Sequence, residues 1–259
     1  MIEFAGIDGG VPAWKLAVVG AVVLFAGLVH GTLGLGFPLV STPLIALVLD
    51  VRAAILLTLL PTAAVNIASI VHGGQWRGTL RTYWPMAVTG ALGAVAGTRA
   101  LTVLDPEPFR LLLAALVVAY LLSSARGPLG LAWVGHHPRL AMLVFGLAAG
   151  CAAGTTNVMV PVLVVYALES GLAREASVRV FNFCFLVGKI AQIVTFAAAG
   201  VLGAALLGAT VPLALAAVAA LSFGVRIRAR VPAETYRRIL RWMLWVLAAI
   251  LVVQFAMPD

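Results

Sequence analysis

Carboxylates are scarce in this chain. Asp and Glu together number 9 of 259 residues, and none lies inside a long apolar run. Cation carriers place acidic groups within their membrane segments, so that scarcity argues against cation handling. Cysteine is nearly absent: Cys151 and Cys184 are the only two, too few for a disulfide framework. A thiol relay built on an internal repeat needs a cysteine in both halves, and Thr32 stands where the partner of Cys151 would fall. No Gly-rich loop leads into Lys-Ser/Thr, so no ATP-driven pump is encoded here, and no His-Glu-x-x-His stretch occurs. His136 and His137 are too isolated to hold an ion. No catalytic residue, metal site or cofactor is expected, and an enzyme is not indicated.

Apolar residues are abundant instead. They make up 63% of the chain, charged residues 10%, and the mean hydropathy is +1.11, a membrane composition. Uncharged runs near the roughly 18–20 residues needed to cross a bilayer recur along the whole length. All six tryptophans (Trp14, Trp76, Trp84, Trp133, Trp242, Trp245) fall near segment ends, as an aromatic belt requires. The N-terminus is acidic at Glu3 and Asp8, unlike a cleavable signal peptide, so the first span is expected to be retained. The formal charge of +8 comes from arginines spread through short loops, where positive charge sets topology; nucleic acid is not an expected partner.

The expected fold is an all-α polytopic membrane protein, because lipid tolerates only helices or closed barrels and these runs are too long for barrel strands. Segments are expected at 13–30 with a shorter piece 39–49, then 53–72, 82–101 and 109–124. After a polar linker come 140–150 with a shorter piece 158–169, then 176–199, 201–222 and 235–256. That makes about eight transmembrane segments in two homologous four-helix repeats, 1–130 and 131–259, forming one integrated membrane domain. Each repeat opens with a glycine-broken helix. Gly27-Leu28-Val29-His30-Gly31 matches Gly146-Leu147-Ala148-Ala149-Gly150, and each broken segment reaches a proline, Pro43 or Pro161, then a turn at Arg52 or Arg174. Gly97-Thr98-Arg99 leading to Pro106 parallels Gly224-Val225-Arg226 leading to Pro232.

If each broken segment crosses once, the repeats run parallel; if each folds back, they invert. The loop 224–238 carries Arg226, Arg228, Arg230, Arg237 and Arg238 and is expected in the cytoplasm, which places Asp259 outside. Loops 73–81 and 125–139 carry two arginines each, leaning towards inversion. Both arrangements stay open from sequence.

Two glycine-interrupted apolar segments at matching places point to a transporter's binding site. The residues concerned are Gly31, Gly34 and Gly36 in the first half, and Gly150, Gly154, Thr155, Thr156 and Asn157 in the second. N–H groups freed at such breaks would suit an anion, although small residues four apart also let helices pack closely. Lys189 lies in mid-segment with no acidic residue in its span, and a charge there is functional by default. At about 100° per residue, Asn182 shares its face and Gln192 lies roughly 60° away. The matching first-half segment carries Thr58, Thr62, Asn66 and Ser69 within an arc of roughly 80°. Asn66 aligns with Lys189 to within one residue; the others also suit helix packing. His30 borders the first break and could titrate near neutrality, but Ala149 stands in its place in the second half.

These features resemble the TauE/SafE family of sulfite and organosulfonate exporters. The resemblance rests on Gly27-Leu-Val-His-Gly31-Thr-Leu-Gly34-Leu-Gly36 followed by Pro43, on the echo from Gly146 to Pro161, and on the helix layout, and it covers essentially the whole chain. It implies a multi-pass carrier of the inner membrane that exports a small sulfur-containing anion such as sulfite or a sulfonate. Expected partners are that anion, the bilayer and a second copy in a homodimer. The rival readings are a channel-like or cation-handling protein and, further off, a membrane thiol relay.

Overall fold

The computed structural model describes residues 2–4, 7–73, 76–105, 107–228 and 233–256. Pro106, Arg230, Pro232 and Asp259, which entered the repeat and topology readings, lie outside the described residues. After a short antiparallel hairpin (β1, Ile2–Phe4; β2, Ile7–Val11) the described chain is helical: α1 Ala13–Leu33, α2 Phe37–Ala46, α3 Val51–Gly73, α4 Trp76–Val103, α5 Glu107–Arg126, α6 Ala132–His136, α7 Pro138–Thr156, α8 Val160–Glu169, α9 Arg174–Ala198, α10 Ala204–Arg228 and α11 Ala233–Ala256. Six of these (α1, α3, α4, α7, α9 and α10) are long and apolar enough to cross a membrane. The perimeter carries exposed Leu92, Val194, Leu215 and Val246, the surface that lipid solvates.

Both interruptions begin later than expected. α1 continues through Gly31 to Leu33, and α7 continues through Gly150 and Gly154 to Thr156. Each helix ends only where the backbone turns left-handed: at Gly34 with φ 85°, whose N–H donates to the His30 carbonyl, and at Asn157 with φ 64°, whose N–H donates to the Ala153 carbonyl. This single bond back across the last turn is a helix C-cap. Asn is the side chain, after glycine, that most readily accepts that conformation. α2 and α8 then restart with Pro38 and Pro161 in their first turns, where a missing N–H costs nothing.

The caps reset the correspondence between the halves. Gly34 and Asn157 are 123 residues apart, and so are Pro38 and Pro161, Asn66 and Lys189, and Ser69 and Gln192. The match from sequence, Gly31 with Gly150 and Pro43 with Pro161, uses spacings of 119 and 118 residues instead. At a spacing of 123 residues His30 pairs with Ala153.

Packing follows the same correspondence. α1 lies on α10 as α7 lies on α4, α3 packs on α10 as α9 packs on α4, and α3 meets α9 while α5 meets α11. A Cβ on Gly27 would lie 2.6 Å from the Ala217 carbonyl oxygen, one on Gly31 would strike that of Leu221, and one on Gly224 would strike that of Leu28. On the other side Gly93 abuts Leu147, and Gly97 abuts Cys151 and Gly154. Numbers rise together in both pairs, so α1 runs parallel to α10, and α7 to α4.

Within the second half, Gln192 reaches the Ala153 and Gly154 carbonyls while Lys189 reaches Asn157, so α9 runs antiparallel to α7. The short turn at 199–203 reverses the chain again into α10. α1 and α7 therefore point the same way. The loop arginines mislead on this point because two per loop is too small an imbalance to orient a segment.

Two of the polar groups at segment ends tie the frame together. Arg52, at the start of α3, donates to the Leu101 carbonyl at 2.7 Å and the Leu104 carbonyl at 3.0 Å, satisfying the end of α4. The Glu169 carboxylate at the end of α8 accepts the N–H groups of Leu129 and Leu131, anchoring the linker between the halves.

Candidate functional site

The polar groups of the interior gather where the caps of α1 and α7 meet α3 and α9. Lys189 is 4% exposed. Its Nζ lies 2.5 Å from Asn157 Oδ1 and donates also to Gln192 Oε1. Both partners are neutral amide oxygens, so a charge on this nitrogen has no carboxylate partner among the described residues. A charge at the centre of a span costs roughly 2.5–3.5 kcal/mol on insertion scales, and two amide dipoles offset only part of that.

Asn157 is the hub. Its Oδ1 faces Lys189, while its Nδ2 donates to Thr42 Oγ1 at 2.9 Å and to Thr58 Oγ1 at 3.1 Å. It thus joins the cap of α7 to α2, α3 and α9, four elements drawn from both halves. Thr58 in turn donates to the Ala54 carbonyl at 2.7 Å. Gln192 holds the last turn of α7 through the Ala153 and Gly154 carbonyls, each at 3.2 Å.

Around the first cap a second set forms. Asn182 Nδ2 donates to the Gly34 carbonyl at 2.9 Å. The Phe37 N–H, first in α2, points at His30 Nδ1 at 3.3 Å, and His30 Nε2 lies 2.9 Å from Ser69 Oγ. The pair His30–Ser69 stands where Ala153–Gln192 stands in the other half.

Asn66, the counterpart of Lys189, is fully buried, and neither its Nδ2 nor its Oδ1 finds a hydrogen-bond partner among the described residues. Thr62 Oγ1, one turn away, and Ser41 Oγ on α2 are likewise buried and unpaired there. Buried polar atoms without partners are rare and call for a reason. Among the described residues Asn182 Oδ1 on α9 is unpaired as well, and two further such atoms, on Thr98 and Arg110, lie on α4 and α5.

The sequence-selected residues divide accordingly. Lys189, Asn157, Gln192 and Asn182 stand at the two caps, and Gly34 and Gly36 form the first break, with Gly36 at φ 107°. Gly31, Gly150 and Gly154 lie within helices instead and serve as contact points. A Cβ on Gly150 would strike the Gly90 carbonyl, and one on Gly154 would come within 2.5 Å of the Ala94 oxygen. Their N–H groups belong to intrahelical bonds, so any anion-binding N–H donors must come from the chain just past Gly34 and Asn157. The Thr155 and Thr156 hydroxyls donate back to the Cys151 and Ala152 carbonyls at 2.8 Å, a local bond open to any helical threonine. Thr42 is missing from the sequence reading, and the only signal that could have found it is the αL residue that it binds.

Cys151 and Cys184 are free thiols on different helices. Among the described residues no group of three or more His, Cys, Asp or Glu could hold a metal ion.

A family model described as "Sulfite exporter TauE/SafE" matches residues 19–251. Neither the curated proteins nor the solved structures yield a match.

Proposed function

The chain belongs to the sulfite exporter TauE/SafE family, and from that premise we propose that it is a secondary carrier exporting a small sulfur-containing anion, sulfite or a short sulfonate, across the inner membrane. The observation that supports this most is the buried Lys189 ammonium, whose hydrogen bonds go to uncharged amides. An oxyanion brought beside it supplies the missing negative charge, and the lysine offsets part of the anion's dehydration.

Donors for the remaining oxygens stand nearby in the fold. Gln192 and Asn157 orient the ammonium, the N–H groups that open α2 and α8 provide helix-terminus donors, and Asn66 and Thr62 bring polar atoms that the protein itself does not satisfy. The two breaks act as hinges. Each cap consists of one left-handed residue held by side chains from the other half, so rocking one half against the other changes which side the cargo meets.

In this reading the 123-residue correspondence records two homologous repeats, and α5 and α11 complete eight spans, four per repeat. α2 and α8, at 10 residues each, rise only about 15 Å, half of the roughly 30 Å core. They extend the broken helices rather than adding crossings.

The test is flux of labelled sulfite and methanesulfonate in proteoliposomes holding the purified chain. Saturable flux that falls at least about tenfold in Lys189→Gln is expected, since roughly 1.4 kcal/mol of lost binding already gives that factor. Undiminished flux in the variant removes the lysine from the site, and unsaturable current in the parent points to a channel.

A further inference from the structure

His30 has no work in the carrier described so far, yet it is fully buried at the first break with both ring nitrogens engaged. The Phe37 backbone N–H can only donate, so Nδ1 must offer its lone pair. Nε2 therefore carries the proton and donates to Ser69 Oγ. These two bonds, one of them to the first residue of α2, favour one neutral tautomer, and the Asn182 side chain on α9 also meets the ring.

From this geometry we infer that His30 is the proton-coupling residue of the carrier, binding a proton at Nδ1 as the anion takes the Phe37 N–H. The inference rests on the anion-carrier reading above and adds its coupling ion. A proton from water adds to the Nδ1 lone pair, and the Phe37 N–H···Nδ1 bond breaks because two N–H groups cannot face each other. No electron changes hands. The freed N–H lies at the start of α2, where helix N-termini favour negative charge, and the new imidazolium strengthens that field.

Each event therefore favours the other, and by linkage each ligand raises the affinity for the other equally. Anion and proton travel in the same direction, so export runs when the outward cargo gradient exceeds the opposing proton gradient. At the second break the basic group is Lys189, bonded to Asn157, and among the described residues no histidine faces that cap.

The surroundings leave this role to His30. α1 packs against α2, α3 and α10. α2 has no titratable group. α3 has Arg52 and His72 at its ends, with His72 bonded to the Ala68 carbonyl. α10 has Arg226 and Arg228 in its last turn. α9 reaches the break with Asn182 and carries Arg174, Glu175 and Arg179 in its first two turns and Lys189 further on.

The experiment uses the full chain in proteoliposomes with a trapped pH dye and methanesulfonate, which stays ionised and carries no proton itself, or sulfite at pH 8 if only sulfite moves. Adding cargo outside should acidify the lumen, and an acid-outside gradient should drive accumulation severalfold above equilibrium. His30→Gln, which keeps a donor and an acceptor but cannot be protonated, should lose both effects while exchange of label across equal cargo persists at a measurable rate. His72→Gln should behave as the parent protein.

Cargo flux in the parent without proton movement overturns the inference and leaves the carrier reading standing, as does full gradient-driven accumulation in His30→Gln. If His30→Gln fails to exchange label, His30→Asn takes its place under the same criteria, and the parent's proton movement still decides. Absence of any cargo flux in the parent overturns both readings.

Discussion

Lys189 Nζ lies 2.5 Å from Oδ1 of Asn157, the residue whose left-handed backbone ends α7. The mid-span cation is thereby bound to the residue that makes the second break. Any movement of the cap moves the charge, and any ligand that competes for the charge loosens the cap.

Lys189→Met should separate function from stability. Removing a buried charge without a counter-ion relieves a cost of roughly 2.5–3.5 kcal/mol, while Asn157 Oδ1 and Gln192 Oε1 lose a donor. The net effect on thermal unfolding in detergent should be neutral or stabilising, with anion flux at least about tenfold lower. A variant that is both less stable and fully active contradicts the site.

Asn157 should show two separable losses. Asn157→Gly keeps the left-handed cap but gives up the bonds to Thr42, Thr58 and Lys189. Asn157→Ala gives up both, and a Cβ in that conformation costs about 1–2 kcal/mol. Unfolding measurements should rank the parent above glycine and glycine above alanine, with the two variants about 1 kcal/mol apart. Equal stability of the two would mean that the cap conformation does not matter.

Among the glycines, contact rather than helix propensity should set the outcome. A Cβ at Gly150 meets the Gly90 carbonyl, so Gly150→Ala must push α7 off α4 and should cost about 1–3 kcal/mol or more. A Cβ added at Gly20 in α1 meets nothing within 4 Å, so Gly20→Ala should be neutral or stabilising by up to about 1 kcal/mol. Folded yield and melting temperature of the two variants check this.

The shared direction of α1 and α7 is open to labelling. In a background with both cysteines replaced by serine, single cysteines at Trp14 and Leu140, each exposed near the start of its helix, should react with an impermeant maleimide from the same side of sealed vesicles. Labelling from opposite sides would restore the inverted arrangement. The same background should transport like the parent protein, since Cys151 and Cys184 touch neither cap; loss of transport would revive a thiol relay.

Much of the candidate site is legible in the sequence because its signals are chemical oddities. A lysine in an apolar run and amides at helical spacing from it stand out against hydrocarbon-facing residues, and Lys189, Asn182 and Gln192 announce themselves that way. Gly31, Gly150 and Gly154 look like parts of the breaks because a glycine in a sequence does not show whether it ends a helix or lets another helix approach. The answer depends on a neighbour far along the chain: Leu221 for Gly31, Gly90 for Gly150. The contacts of His30 are hidden for a related reason, since Ser69 and Phe37 reach its ring only in the folded chain.

Sequence by itself determined that the chain is built of apolar helices suited to a bilayer and that a lysine sits among them far from any acid, Glu175 being the acidic residue that shares its helix, since hydration costs act on each residue whatever its partners. Tertiary structure alone decided where the helices break, that α1 and α7 run the same way, and which side chains meet at Asn157. Those outcomes depend on backbone approach and hydrogen-bond geometry between segments far apart in the chain, and residue order does not encode such distances directly.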